Sequence, residues 1–210
     1  MKLNRELHFK TREVHAGVSP DPVTGAILTP IYQSTTYVQE SVDNYMAKGY
    51  SYSRSGNPTV VALEERINSL EDGVGAACFA TGMAATSAVM MALLNAGEHA
   101  VVSDVVYGGT HRLSTRVLSR FGVEYSFVDT SDPSTVEASI TPKTRLIFTE
   151  TPANPTLKLT DIAAISEIAR KHGIPHVVDN TFLTPYYQRP LELGADISLH
   201  STTKYMDGHN

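Results

Sequence analysis

Four short stretches hold residues whose types and spacing suit one chemistry. Near the end of the chain, Ser201, Thr202 and Thr203 lead into Lys204, directly after a mostly apolar run at residues 196–200. Hydroxyls and exposed backbone N–H groups at a strand end suit a phosphate. A lysine beside them can carry an aldehyde cofactor as an imine. Asp179 closes a second apolar run, Val177-Val178-Asp179. A carboxylate there is costly to bury alone, so it should face a cation or a donor. A protonated pyridine nitrogen meets that need, and so does a buried arginine. Thr81-Gly82-Met83 reads as a strand-to-helix turn whose free N–H groups favour an anion. Tyr107 precedes Gly108-Gly109, so its ring can cover a flat ligand while the glycines let the chain approach. Taken singly, a surface lysine, an ordinary helix start and a turn tyrosine explain three of these as well.

The elements that must position these groups follow from periodicity and caps. Asn57-Pro58 is an N-cap with proline at the first helical position. Leu63, Ile67 and Leu70 mark one face of the helix, and Gly73 ends it. Residues 76–79 read as a short buried strand, with Cys78 serving packing. A helix apolar nearly all round, 83–95, follows Gly82. Strands are expected at 100–103, 123–128, 145–150, 174–179 and 196–200, and helices at 110–121, 133–140 and 161–172. Strand and helix alternate, and the strands lack period-2 patterning. The fold class is therefore α/β, a mostly parallel sheet with helices on both faces. Ligands in such sheets bind outside the carboxyl ends of the strands. Those ends carry Thr81-Gly82, Tyr107, Glu150 with Asn154, Asp179-Asn180, and Ser201 to Lys204.

Residues 1–57 read differently. Prolines, glycines and Tyr32, Tyr37, Tyr45, Tyr50 and Tyr52 stand in a stretch with little helical period. Such an aromatic-rich extended arm must lie on the domain behind it, residues 58–210, or embrace another subunit.

Composition sets the outer limits. The 210 residues suit one good-sized domain with an added arm. A net charge of −5 with no basic cluster argues against a nucleic-acid partner. No apolar run reaches the roughly 18 residues of a membrane span, and the N-terminus lacks an apolar signal core. A single cysteine allows no internal disulfide, which suits a reducing cytoplasm. The histidines show no metal-ligand spacing. Gly73-Val74-Gly75 follows a helix and lacks a third glycine, so it is no dinucleotide loop.

Six blocks in order carry a resemblance: residues 52–59 (YSRSGNPT), 81–85 (TGMAA), 104–109 (DVVYGG), 150–156 (ETPANPT), 178–182 (VDNTF) and 200–205 (HSTTKY). From about Thr11 to its last residue, the chain resembles the cystathionine γ-synthase/γ-lyase family. These are fold-type-I pyridoxal-phosphate enzymes that handle sulfur amino acids. The resemblance implies that Lys204 holds pyridoxal 5'-phosphate and moves protons on the substrate. It implies that Asp179 keeps the pyridine nitrogen protonated, making the ring an electron sink. Tyr107 would stack on the ring and take part in catalysis. Gly82, Met83, Ser201 and Thr203 would hold the phosphate, and Asn154 would bond the ring oxygen. Tyr52 and Arg54 would reach the phosphate of a neighbouring subunit, since Arg suits bidentate phosphate binding. The arm at 1–57 would then contact that subunit, within a homotetramer built as a dimer of dimers.

The activity so implied is β/γ-elimination or γ-replacement on sulfur-containing or homoserine-derived amino acids, in transsulfuration. O-acylhomoserine sulfhydrylase and methionine γ-lyase are the alternatives within the class. Gly109 stands where methionine γ-lyases typically carry cysteine, which lowers that alternative. Thr81 stands where many relatives have serine. Family members continue past the lysine into a smaller C-terminal domain, which supplies the arginine for the substrate carboxylate. A truncated, non-catalytic fragment that binds cofactor or pairs with a subunit is therefore the rival from another class.

Overall fold

A computed structural model of the chain describes residues 7–44 and 49–209. The N-terminal hexapeptide and Tyr45 lie outside the described residues. The chain falls into two compact units, Met1–Cys78 and Phe79–Asn210.

The second unit is built on five parallel strands: β1 (His99–Ser103), β2 (Glu124–Val128), β3 (Thr144–Glu150), β4 (His176–Asp179) and β5 (Ile197–Leu199). Their order across the sheet is β2-β1-β3-β4-β5. β1 and β4 are buried along their whole length, which is why these segments read as unbroken apolar runs. On one face, Ala100, Val102, Leu146, Phe148, Val177 and Leu199 pack with Met90 of helix α3 (Gly82–Leu93) and with Leu94. On the other, Val101 and Ile147 meet Val136 of α5 (Pro133–Ala138) and Ile165 and Ala169 of α6 (Ile162–His172). Each such large apolar side chain contributes roughly 1.5–3 kcal/mol by leaving water.

Helix starts are set locally. The side chains of Thr81, Asp132 and Asp161 accept backbone N–H bonds from Ala84, Ser134 and Ala164, each cap worth about 1 kcal/mol. Gly173, at φ 66°, ends α6 in the left-handed conformation that glycine adopts most readily. A short α7 (Thr184–Tyr187) lies between β4 and β5.

Two expectations are corrected. The helix expected over 110–121 is α4 (Gly108–Arg112), then a π turn (Leu113–Val117) and a 3₁₀ turn (Leu118–Phe121). The hydroxyls of Ser114, Thr115 and Ser119 each donate to the carbonyl four residues back, a bond that bends helices. The strand expected over 76–79 does not form. Ala76 and Ala77 are exposed, Phe79 is 48% exposed, and Cys78 is only half-buried. An apolar run becomes a strand only where a neighbour supplies a ladder, and none among the described residues does.

The first unit contains α1 (Phe9–His15) and α2 (Pro58–Glu71). α1 was not expected from the sequence, which shows little helical period there. It is held by a tertiary contact: buried Arg12 reaches the Ser69 carbonyl and pairs with Asp72 at 2.7 Å. Residues 20–44 make little regular structure beyond an antiparallel bridge between Thr36 and Tyr52. Ile27, Leu28, Ile31, Val38 and Val42 are all exposed.

A polar knot under β3 and β4 gives a test of the fold. His176 is fully buried, with Nδ1 2.9 Å from Ser166 Oγ and Nε2 2.9 Å from Thr149 Oγ1. Burial disfavours the imidazolium and lowers its pKa to about 4. The unfolded chain therefore binds this proton at a higher pH than the fold does. Its contribution is fully present above about pH 6.5 and is lost as pH falls toward 4, by about 3 kcal/mol in total. Urea unfolding from pH 7 to pH 4 should show this loss, and a His176→Gln variant should lack it.

Candidate active site

The sheet changes direction between β1 and β3. From β1 the chain passes outward to β2, then crosses to build β3, β4 and β5 on the other side. Crevices outside the carboxyl ends at such points bind ligands in open α/β sheets. Here one carboxylate spans the crevice. Glu150, the last residue of β3, accepts the N–H of Tyr107 at Oε2 (2.5 Å) and the N–H of Asn154 at Oε1 (3.1 Å). Tyr107 stands in the loop after β1, and Asn154 in the loop after β3.

Glu150 is the register partner of Asp179 on β4. Paired residues of parallel strands point to the same face, so the two carboxyls emerge side by side, on the face that carries α3. Both are buried. Burial, and then the charge of Asp179, push the Glu150 carboxyl up to about 7. Burial also raises Asp179, against the opposing influence of the Thr181 bonds and of His200. Asp179 accepts the Thr181 N–H at 3.0 Å. Among the described residues no lysine or arginine pairs with it. The buried arginine that would explain this carboxylate structurally is not found among the described residues, and its hydrogen-bond donor is the Thr181 N–H.

From Asp179 the contacts run on to an anion cradle. Thr181 Oγ1 accepts the Ser201 N–H at 2.8 Å. Ser201 lies hard against Gly82: a Cβ built on Gly82 would stand 2.7 Å from Ser201 Cβ and 2.8 Å from its Oγ. The cap of α3 occupies the N–H groups of Ala84 and Ala85, leaving those of Gly82 and Met83 as the helix's first free donors. A Cβ on Gly109 would stand 2.5 Å from Tyr107 Cε1 and 2.7 Å from Met83 Sδ. The Tyr107 ring therefore rests over Gly109 and beside Met83.

Gly82, Met83, Tyr107, Asn154, Asp179 and Ser201 are in this way joined through contacts along one rim. Thr203 and Lys204 belong to the turn that follows β5. Lys204 N–H donates to the Ser201 carbonyl at 3.2 Å, and the Thr203 carbonyl accepts the His209 N–H at 2.8 Å. The side chains of Lys204 and Asn154 are exposed. Tyr52 and Arg54 belong to the N-terminal unit, where the Arg54 guanidinium lies 4.3 Å from the centroid of the Tyr52 ring.

Three contributors had no role assigned from the sequence. Thr181 links Asp179 to Ser201. Lys158 pairs with Asp129 (2.7 Å) and Asp104 (3.2 Å), tying the loops that follow β1, β2 and β3. Glu150 ends an apolar strand as Asp179 does, so the cost of burying a charge marks it equally.

Amides and a hydroxyl at one end and a cation-seeking buried carboxylate at the other suit a phosphorylated aromatic base, the chemistry of a pyridoxal-phosphate domain. Comparison with known proteins agrees. Residues 10–210 match the family described as Cys/Met metabolism PLP-dependent enzyme, and the chain belongs to that family. A probable cystathionine gamma-synthase of Herpetosiphon aurantiacus is 52% identical over 96% of this chain and 62% of its own length. Cystathionine gamma-lyase of Bacillus subtilis is 52% identical over 96% of this chain and 52% of its own. The crystal structure of metB from Corynebacterium glutamicum superposes with a TM-score of 0.96 at 46% identity, over 99% of this chain and 54% of that one. The chain thus spans little more than half the length of the relatives it matches.

The contact between Gly82 and Ser201 leaves no room for a methyl group. Gly82→Ala should push the Ser201 turn from the helix start, at a cost of about 1–3 kcal/mol in stability. Titration with pyridoxal phosphate, followed by protein fluorescence, should show binding weakened by about tenfold or more.

Proposed function

We propose that this chain forms the cofactor-binding part of an enzyme that performs β/γ-elimination or γ-replacement on sulfur-containing or homoserine-derived amino acids, of cystathionine γ-synthase or γ-lyase type. The observation that carries it is the buried Asp179 carboxylate, paired with no lysine or arginine among the described residues, on the rim where Gly82 meets Ser201.

Pyridoxal phosphate, when bound, supplies an electron sink for bonds at the amino-acid Cα. The chain's own groups do the rest. Lys204 would hold the cofactor through its amine and would move protons at the substrate's Cα and then Cβ. Asp179 holds the proton on the pyridine nitrogen. The amides of Gly82 and Met83 and the hydroxyls of Ser201 and Thr203 hold the phosphate. Tyr107 covers the ring, and Asn154 bonds its ring oxygen.

Tyr52 and Arg54 complete the site of a neighbouring subunit, in a cytoplasmic homotetramer that pairs dimers. The exposed Ile27, Leu28, Ile31 and Val38 support a subunit contact for the arm at 1–57. Among the described residues no helix is long and apolar enough to cross a membrane. Methionine γ-lyase chemistry is the less favoured reading, because Gly109 stands where methionine γ-lyases typically carry cysteine, and a side chain there would strike Tyr107 and Met83. Direct sulfhydrylation of an acylated homoserine is separated from the main reading by the products formed with cystathionine, O-acylhomoserine plus cysteine, and O-acylhomoserine plus sulfide.

Lys204→Ala in the full-length protein should abolish the visible absorbance of covalently held cofactor and reduce turnover by at least about a thousandfold. Full activity in that variant would end the assignment. Arg54→Ala should also be nearly inactive alone. Mixed oligomers of the Lys204→Ala and Arg54→Ala proteins should regain activity, because one site then draws Lys204 and Arg54 from different intact copies. Mixtures that stay inactive would mean that Arg54 does not act on a neighbour's site.

A further inference from the structure

We propose that Glu150 is a positioning residue that sets the Tyr107 ring and the Asn154 side chain against the ligand by clamping their backbone amides from the end of β3. This rests on the pyridoxal-phosphate reading of the site.

The geometry is specific. The two oxygens of one carboxylate serve two loops, Oε2 accepting from Tyr107 N–H at 2.5 Å and Oε1 from Asn154 N–H at 3.1 Å. Tyr107 lies at the far end of a short loop whose near end is already tied, by the Asp104 pair with Lys158. Fixed at both ends, the loop can place the Tyr107 ring over Gly109 in one orientation. Asn154 needs the same support, since its side chain is exposed.

For folding alone, a carboxylate is a poor choice here. Glu150 is 7% exposed and sits in register with Asp179. Asp179, on β4, is the charged group that faces it, and His200, after β5, acts on Asp179 in turn. Glutamine would fill the same space without the like charge, but its single oxygen can accept only one of the two amides in this geometry. Its NH₂ group would face the other amide, donor to donor. Aspartate keeps the charge and is one methylene too short to reach both loops. The two substitutions therefore separate charge from reach.

The experiment compares wild type, Glu150→Gln and Glu150→Asp in the full-length protein. Without cofactor, hydrogen–deuterium exchange should quicken by about tenfold in residues 104–109 and 151–157 of both variants. Strands β1 and β3 should exchange as in the wild type. Glu150→Gln should also gain thermal stability relative to the wild type as pH rises from about 5 to about 7. The wild-type fold holds an extra proton on Glu150 over that range and loses its benefit as the pH climbs. That slope reports the burial of Glu150 beside Asp179, whereas the exchange of the two loops reports the clamp.

With cofactor, both variants should bind pyridoxal phosphate about tenfold more weakly, and the visible circular dichroism of the bound ring should change. Wild-type exchange in the two loops of Glu150→Gln would overturn the clamp, whether or not cofactor binds. Loosened loops with unaltered affinity and dichroism would overturn the positioning role. A wild type that binds no pyridoxal phosphate would instead overturn the functional reading, and with it the ligand set by the clamp.

Discussion

Two carboxyls share the last buried rung of the sheet, and the site depends on how that conflict is resolved. Parallel pairing puts Glu150 beside Asp179, and Asp179 beside Leu199, all in one row. Leu199 needs only apolar neighbours. The two acids have little water and face the same side, where like charges repel strongly. Each must find donors or a cation. Glu150 takes two amides, one from the loop after β1 and one from the loop after β3. Asp179 takes the amide of Thr181, whose hydroxyl then holds the turn of Ser201. The electrostatic demand of one rung thus organises the loops around it.

How legible this was depends on whether the deciding interactions are local. Strands β1, β3 and β4 could be read because buried parallel strands are near-continuous apolar runs with polar ends. The helix starts at Pro58, Pro133 and Ile162 could be read because Asn57, Asp132 and Asp161 cap them within a few residues. Asp179 could be singled out by the cost of burying a charge. Glu150 obeys the same rule, yet its role needed the register that pairs it with Asp179, and register is not written in either strand alone.

The misread segments have the same cause. Residues 76–79 have strand composition, but composition does not supply a ladder partner. The helix from Gly108 has the right apolar spacing, while its hydroxyls compete for the carbonyls that would keep it regular. α1 is short and weakly periodic, and Arg12 holds it by reaching a residue 60 positions away. Non-local bonds decide each of these.

The rim also divides into a preformed part and an open part. Gly82, Ser201, Thr181 and Asp179 are packed or bonded to one another, so these groups are already in place. Preorganisation of this kind gives affinity with little ordering cost. Lys204, Asn154 and Tyr107 are exposed. A preformed part of this kind fixes where a ligand can sit. Discrimination then falls to the exposed groups and what surrounds them. Gly109 is the clearest example within this chain. Any side chain there collides with Tyr107 and Met83, so a larger residue must shift the tyrosine. The absence of a Cβ at one position of α4 thereby sets where the Tyr107 ring can lie on the rim.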